Sequence, residues 1–143
     1  MPLVSHVLHA RNRTRYLLAV VATVAVGLAT RRFPECVPDF LGKYPGDALW
    51  ALMVFLGWGI VFPAASSARN AAMALMVSYT VEVLKLYQAP WLVGFRQSTV
   101  GHLVFGQGFT WQNFIAYAAG VVMGVICEYF LMRDRGYLAS ENE

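Results

Sequence analysis

Four stretches of the chain are apolar at nearly every position, and short polar or proline-rich segments separate them. The first, residues 16–30, holds 15 residues without a charge, with Arg11, Arg13 and Arg15 before it and Arg31 and Arg32 after it. A membrane-crossing helix takes about 20 apolar residues, within a range of about 17–25, so this run is short. Snorkelling arginines at both ends extend it. A competing reading is a signal peptide with Gly27-Leu28-Ala29 as its cleavage site, which would leave three spans. The second stretch, residues 48–62, follows Pro45-Gly46-Asp47, a turn that places Asp47 as the residue opening the helix. Pro63 and the small residues up to Asn70 form a short connection, so the second and third helices are predicted to be antiparallel neighbours.

The third stretch, residues 70–87, is apolar except along one side. Ser78, Glu82 and Lys85 are spaced by four and three and therefore share a helical face, with Tyr79 beside them. Residues 89–112 are too apolar for a free loop. Pro90 and Trp91 mark the start of a short interfacial helix with Leu92, Phe95, Thr99 and Leu103 toward lipid, broken by Gly101, Gly106 and Gly108. The fourth stretch, residues 112–132, aligns Asn113, Tyr117, Gly120 and Gly124 on one face. Gly120 and Gly124 form a GxxxG pair that permits close helix approach. The expected fold is all-α: an integral membrane bundle of four transmembrane helices, with a short interfacial helix between the third and fourth. Residues 1–14 are a basic cytoplasmic tail, 15–132 the transmembrane domain and 133–143 a polar C-terminal tail.

Composition agrees with the pattern. The 143 residues are 58% hydrophobic and only 13% charged, against about 25% charged in soluble domains. A soluble fold of this size has no interior large enough for so much apolar surface. The net charge of +3 is carried by residues flanking the apolar runs, a pattern that orients membrane helices and does not indicate nucleic-acid binding. With four spans, Arg11, Arg13, Arg15, Arg69, Arg133 and Arg135 lie on one side. Arg31, Arg32, Lys43, Lys85 and Arg96 lie on the other, interleaved with acids. The expected orientation has both termini in the cytoplasm and the polar stretch 78–105 facing outward, in a bacterial inner membrane. Cys36 and Cys127 fall toward opposite faces and are not expected to pair.

Candidate chemistry is concentrated in the stretch 78–105 and the residues that share its end of the bundle. A carboxylate one to two turns inside a span is costly unless paired, protonated or hydrated. Glu82 is therefore either a site residue held by Arg96 or Lys85, or half of a pair with Lys85 that finishes its helix near the headgroups. The planar fork of Arg96 suits a carboxylate or lipid phosphate, or it snorkels. Asp47 is either an N-cap or a site residue. His102 is either a proton carrier or a hydrogen-bonding side chain. Asn113 and Tyr117 either line a cavity or join helices, and Glu128 is expected to meet Arg133 or headgroups. The candidate ligand-binding set is Asp47, Glu82, Lys85, Arg96, His102, Asn113 and Tyr117. Nucleophile–base pattern, phosphate loop and metal-ligand spacing are all missing from the sequence. No enzyme, cofactor or metal is therefore expected.

The segments YPGDALWA (44–51), VEVLKLYQAPWL (81–92) and FRQSTVGHLVFGQGFTWQNFIAY (95–117) resemble a bacterial family of small four-span membrane proteins of unknown function, over about residues 15–132. Gly46-Asp47-Ala48-Leu49-Trp50, Glu82, Arg96, Gly106, Phe109, Tyr117 and Gly120 carry the resemblance. That family is in turn distantly similar to VanZ-like proteins, linked to reduced sensitivity to lipid-bearing glycopeptide antibiotics. The shared pattern is a Glu, a Gln three residues later, a downstream Arg, then an acid or Asn and glycines on the last helix. Lys85 stands where the Gln is expected and Asn113 where an Asp is common. The resemblance implies an envelope protein whose partners are membrane lipids or a lipid-linked envelope precursor. Three functions follow: a lipid-headgroup binder using Glu82, Arg96 and Asp47; a transporter or channel-like homo-oligomer joined through Gly120 and Gly124; and an accessory subunit without a ligand.

Overall fold

A computed structural model describes residues 11–106 and 108–139. Most of the basic tail expected over residues 1–14, and the chain end at 140–143, lie outside the described residues. The order is α1 (Arg13–Arg32), a 3-10 turn (Pro34–Cys36), α2 (Tyr44–Val61), α3 (Ser67–Leu84), α4 (Pro90–Gln97), α5 (Thr99–Phe105) and α6 (Gln112–Ala139). The described residues are otherwise turn and loop, so the all-helical expectation holds. Among the described residues, three helices are long and apolar enough to cross a membrane: Arg13–Arg32, Tyr44–Val61 and Gln112–Phe130. α3 has the length, but Arg69, Asn70, Ser78 and Glu82 keep it below the same apolarity.

The helices begin and end where local chemistry allows, often a turn from the expected boundary. Asn12 caps α1, its side chain accepting from the amides of Thr14 at 3.0 Å and Arg15 at 3.3 Å. The helix therefore takes in the arginines on both flanks and reaches 20 residues, about 30 Å long and matched to a hydrocarbon core of about 30 Å. α2 starts at Tyr44, so Asp47 is not its cap but lies within its first turn. Pro45 permits the earlier start because the first turn has no use for its missing N–H. α3 likewise starts earlier, at Ser67, because the Ser66 hydroxyl accepts from the Arg69 amide at 3.2 Å. The apolar helix expected after Pro90 is two helices meeting at Ser98. Ser98 is extended and caps α5 by accepting from the Gly101 amide at 3.1 Å. Gly101 therefore sits inside α5, against the Phe95 backbone, where a Cβ would collide. Leu92, expected toward lipid, is buried instead. Gly106 ends α5 as expected, at φ +66°, a backbone region that favours glycine. α6 runs past Arg133 to Ala139, where a polar tail was expected.

α2 is the central helix. It packs on α1, α3 and α6, and α6 also packs on α3. Small residues set the spacing. A Cβ at Gly120 would strike the Ala48 carbonyl, one at Gly124 would lie 2.5 Å from the Phe55 ring, and one at Gly59 2.7 Å from the Tyr16 ring. The GxxxG face is thus used within the chain, between α6 and α2. The core joins Tyr16, Ala51, Leu52, Phe55, Leu56, Ala74, Tyr117 and Val121. Large apolar side chains face outward in quantity, such as Leu18 at 65% and Ile115 at 72% exposure. A helical bundle with its polar groups inside and its apolar groups outside is built for lipid, and the protein is a small helical membrane protein.

Candidate functional site

The inward face of α3 carries Asn70, Ala74, Ser78 and Glu82 at steps of four, all buried. Glu82 is fully buried, and its carboxylate is the meeting point of α3, α6 and the turn before α6. Oε1 accepts from the Thr110 amide at 2.9 Å and from Asn113 Nδ2 at 3.0 Å. Oε2 accepts from Lys85 Nζ at 2.6 Å, the Tyr117 hydroxyl at 2.9 Å and Asn113 Nδ2 at 3.1 Å. A carboxylate offers about four acceptor positions, so Glu82 has none left for a ligand. Its partner is Lys85, and the pair is buried, with Lys85 at 2% exposure. Lys85 is the partner that both readings of Glu82 allow, and the pair stands at the end of α3 with both side chains buried. Ser78 and Tyr79 sit one turn below, Tyr79 donating to the Phe114 carbonyl at 3.4 Å.

Arg96 does not reach Glu82. Its guanidinium turns back to the end of α3, donating to the carbonyls of Leu84 at 3.1 Å, Lys85 at 3.2 Å and Tyr87. These oxygens belong to the helix end, where cations are favoured and donors are lacking. Arg96 thus caps α3 and pins α4 beneath it.

Asp47, Lys85 and His102 do meet. They line a cavity of about 400 Å³ between the end of α1, the start of α2, the end of α3 and α5, together with Arg31 and Lys43. Asp47 is 9% exposed, and its Oδ2 has no hydrogen-bond partner among the described residues. Lys43 Nζ donates to the Thr110 hydroxyl at 3.1 Å. Among the described residues no ion pair includes Arg31 or Lys43. With Lys85 neutralised by Glu82, the wall presents two cations against one carboxylate. That arrangement accepts an anion and leaves one acceptor, Asp47, for a donor group. Glu82, Asn113 and Tyr117 stand behind Lys85 and hold it in the wall. Arg31 and Lys43 were not among the sequence candidates. Arg31 reads as a helix flank and Lys43 as a loop charge until the loop 33–43 is folded over the bundle end.

A second buried cluster occupies the opposite end. Glu128 accepts from Arg11 Nε and from the Tyr16 hydroxyl at 2.7 Å. Arg11 also donates to the carbonyls of Pro63 at 3.2 Å and Ala65. Glu128 therefore pairs with Arg11 inside the bundle; the side chain of Arg133, its expected partner, lies outside the described residues. Burial pulls the Arg11 guanidinium down, but the Glu128 hydrogen bond and charge outweigh it, so Arg11 ends above the ordinary arginine value. Cys36 and Cys127 are exposed and unpaired.

Residues 36–121 match the family described as "Protein of unknown function (DUF2809)", more than half of the chain. The protein belongs to this family. The matched region contains the cavity residues Lys43, Asp47, Lys85 and His102 and the network of Glu82, Asn113 and Tyr117. It excludes α1 with Arg31 and the Arg11–Glu128 cluster. No solved structure matches the chain.

Proposed function

We propose that the protein is a four-span protein of the bacterial inner membrane that holds an anionic lipid or lipid-linked headgroup in the cavity at the outward end of the bundle. The carrying observation is that Arg31 and Lys43 line a polar cavity beside a buried, unpartnered Asp47 oxygen. Two cations facing a cavity that holds one carboxylate leave a net positive charge, which suits a phosphate or carboxylate. The fourth span is α3: its polar residues face inward, and Met76, Val83 and Leu84 are exposed. α4 and α5 lie along the membrane surface, with Trp91 70% exposed at the level where aromatic residues anchor to headgroups. The basic flanks Arg13 and Arg15 support a cytoplasmic N-terminus, and four spans would bring the C-terminus to the same side. The cavity then faces the envelope, in keeping with the similarity to VanZ-like proteins. The middle of the bundle is filled by Ala51, Phe55, Ala74 and Val121, which favours a site open at one end over a path through the membrane.

The test is the lipid that accompanies the purified protein. The double variant Arg31→Ala/Lys43→Ala should lose bound anionic lipid, whereas Arg96→Ala should keep it and melt at a lower temperature. Equal lipid in wild type and the double variant would sink the reading.

A further inference from the structure

Beside the polar cavity lies an apolar groove of about 150 Å³ between α1, α2 and α5. Arg31 and Gly46 belong to the walls of both. Below them the groove is lined by Val24 and Gly27 of α1, Leu49 and Met53 of α2, and Leu103 and Val104 of α5. The hydroxyl of Thr23 in this wall donates to the Ala19 carbonyl at 2.7 Å, so it offers the groove no free donor. From Arg31 down to Thr23 is about 12 Å along α1, most of one leaflet of a hydrocarbon core about 30 Å thick.

Resting on the headgroup reading above, we infer that this groove seats one hydrocarbon chain of the same molecule whose anionic group sits at Arg31 and Lys43. The ligand is then a membrane amphiphile taken sideways from the leaflet at that end of the bundle, not a soluble anion. The junction supports it: Arg31 belongs to both walls and Lys43 to the cavity wall, so the charge stands on the side where a headgroup sits when its chain points into the bilayer. A Cβ at Gly27 would lie 3.8 Å from Leu49, an ordinary contact, so this wall of the groove accepts a side chain without moving the backbone.

Two variants fill the groove from opposite walls without touching the cavity, Gly27→Phe on α1 and Leu103→Trp on α5. Binding of dioleoyl phosphatidic acid to detergent-solubilised protein is read by native mass spectrometry, and binding of inorganic phosphate by thermal shift. Excluding a few methylenes should weaken the lipid about tenfold or more in both variants, with phosphate binding unchanged. Arg31→Ala should weaken both ligands. Wild-type lipid binding in both groove variants would overturn the inference, as would loss of phosphate in both. If Arg31→Ala leaves phosphate and lipid unchanged, the headgroup reading itself fails. If wild type binds neither probe, both readings fail.

Discussion

Glu82 and Asp47 are buried carboxylates at the same end of the bundle with opposite surroundings. Glu82 is surrounded by donors from two segments, the turn at Thr110 and α6, and by the Lys85 ammonium. Its role is to hold α3, α6 and the turn at Thr110 together. Asp47 has cations near it and an oxygen that nothing in the described chain satisfies. Breaking a buried ion pair by removing one member costs about 3–5 kcal/mol, because the other charge stays buried. Glu82→Gln should therefore lower stability by about that much, and adding Lys85→Met should restore most of it. Asp47→Asn keeps the shape, so the melting temperature should hold while retention of bound lipid falls. Melts of the three variants in detergent, with lipid quantified after extraction, separate the two roles. A large stability loss in Asp47→Asn would place Asp47 in the scaffold.

The same contrast extends to helices. The α2–α6 contact depends on Gly120 and Gly124, whose missing side chains admit the Ala48 carbonyl and the Phe55 ring. Gly120 meets backbone, which has little freedom to move, and Gly124 meets a ring, which is more yielding. Gly120→Val should be the more damaging substitution, beyond the about 1–3 kcal/mol typical of overpacking. Gly124→Ala should be milder. Folded yield in detergent checks the order, and equal behaviour of the two would show that α6 shifts freely on α2. α1 is held differently. It packs chiefly on α2, Tyr16 donates from it to Glu128 of α6, and the chain just before it is clasped by Arg11 to Glu128 and the α2–α3 turn.

At the scale of the whole molecule, polar groups cluster at both ends and apolar packing fills the middle. One cluster, Arg11 with Glu128 and Tyr16, is closed. The other opens into a cavity and a groove. The outward orientation of that open end is testable with the natural cysteines. Cys36 is exposed in the loop beside the cavity, and Cys127 lies on α6 toward the other end. A membrane-impermeant maleimide should label Cys36 in intact cells carrying Cys127→Ser. Labelling only after permeabilisation would reverse the orientation and put the cavity in the cytoplasm.

Hydropathy along the chain was enough to establish a helical membrane protein, because the apolar runs are long and charge is confined to their flanks. Spacing was enough to show that Ser78, Glu82 and Lys85 share one face, and Asn113 and Tyr117 another, because helical periodicity is local. The partners of those faces are not local. Glu82 meets Asn113 and Tyr117 once glycines let α6 close on α2, and Arg96 meets the carbonyls of Leu84 and Lys85 once α4 folds back against the end of α3. Arg31 and Lys43 enter the cavity only once the loop 33–43 folds over the bundle end. Arg11 finds Glu128, which is 117 positions away, and no feature of either neighbourhood anticipates it. Periodicity assigns a residue to a face of its helix; the packing of helices decides what that face meets.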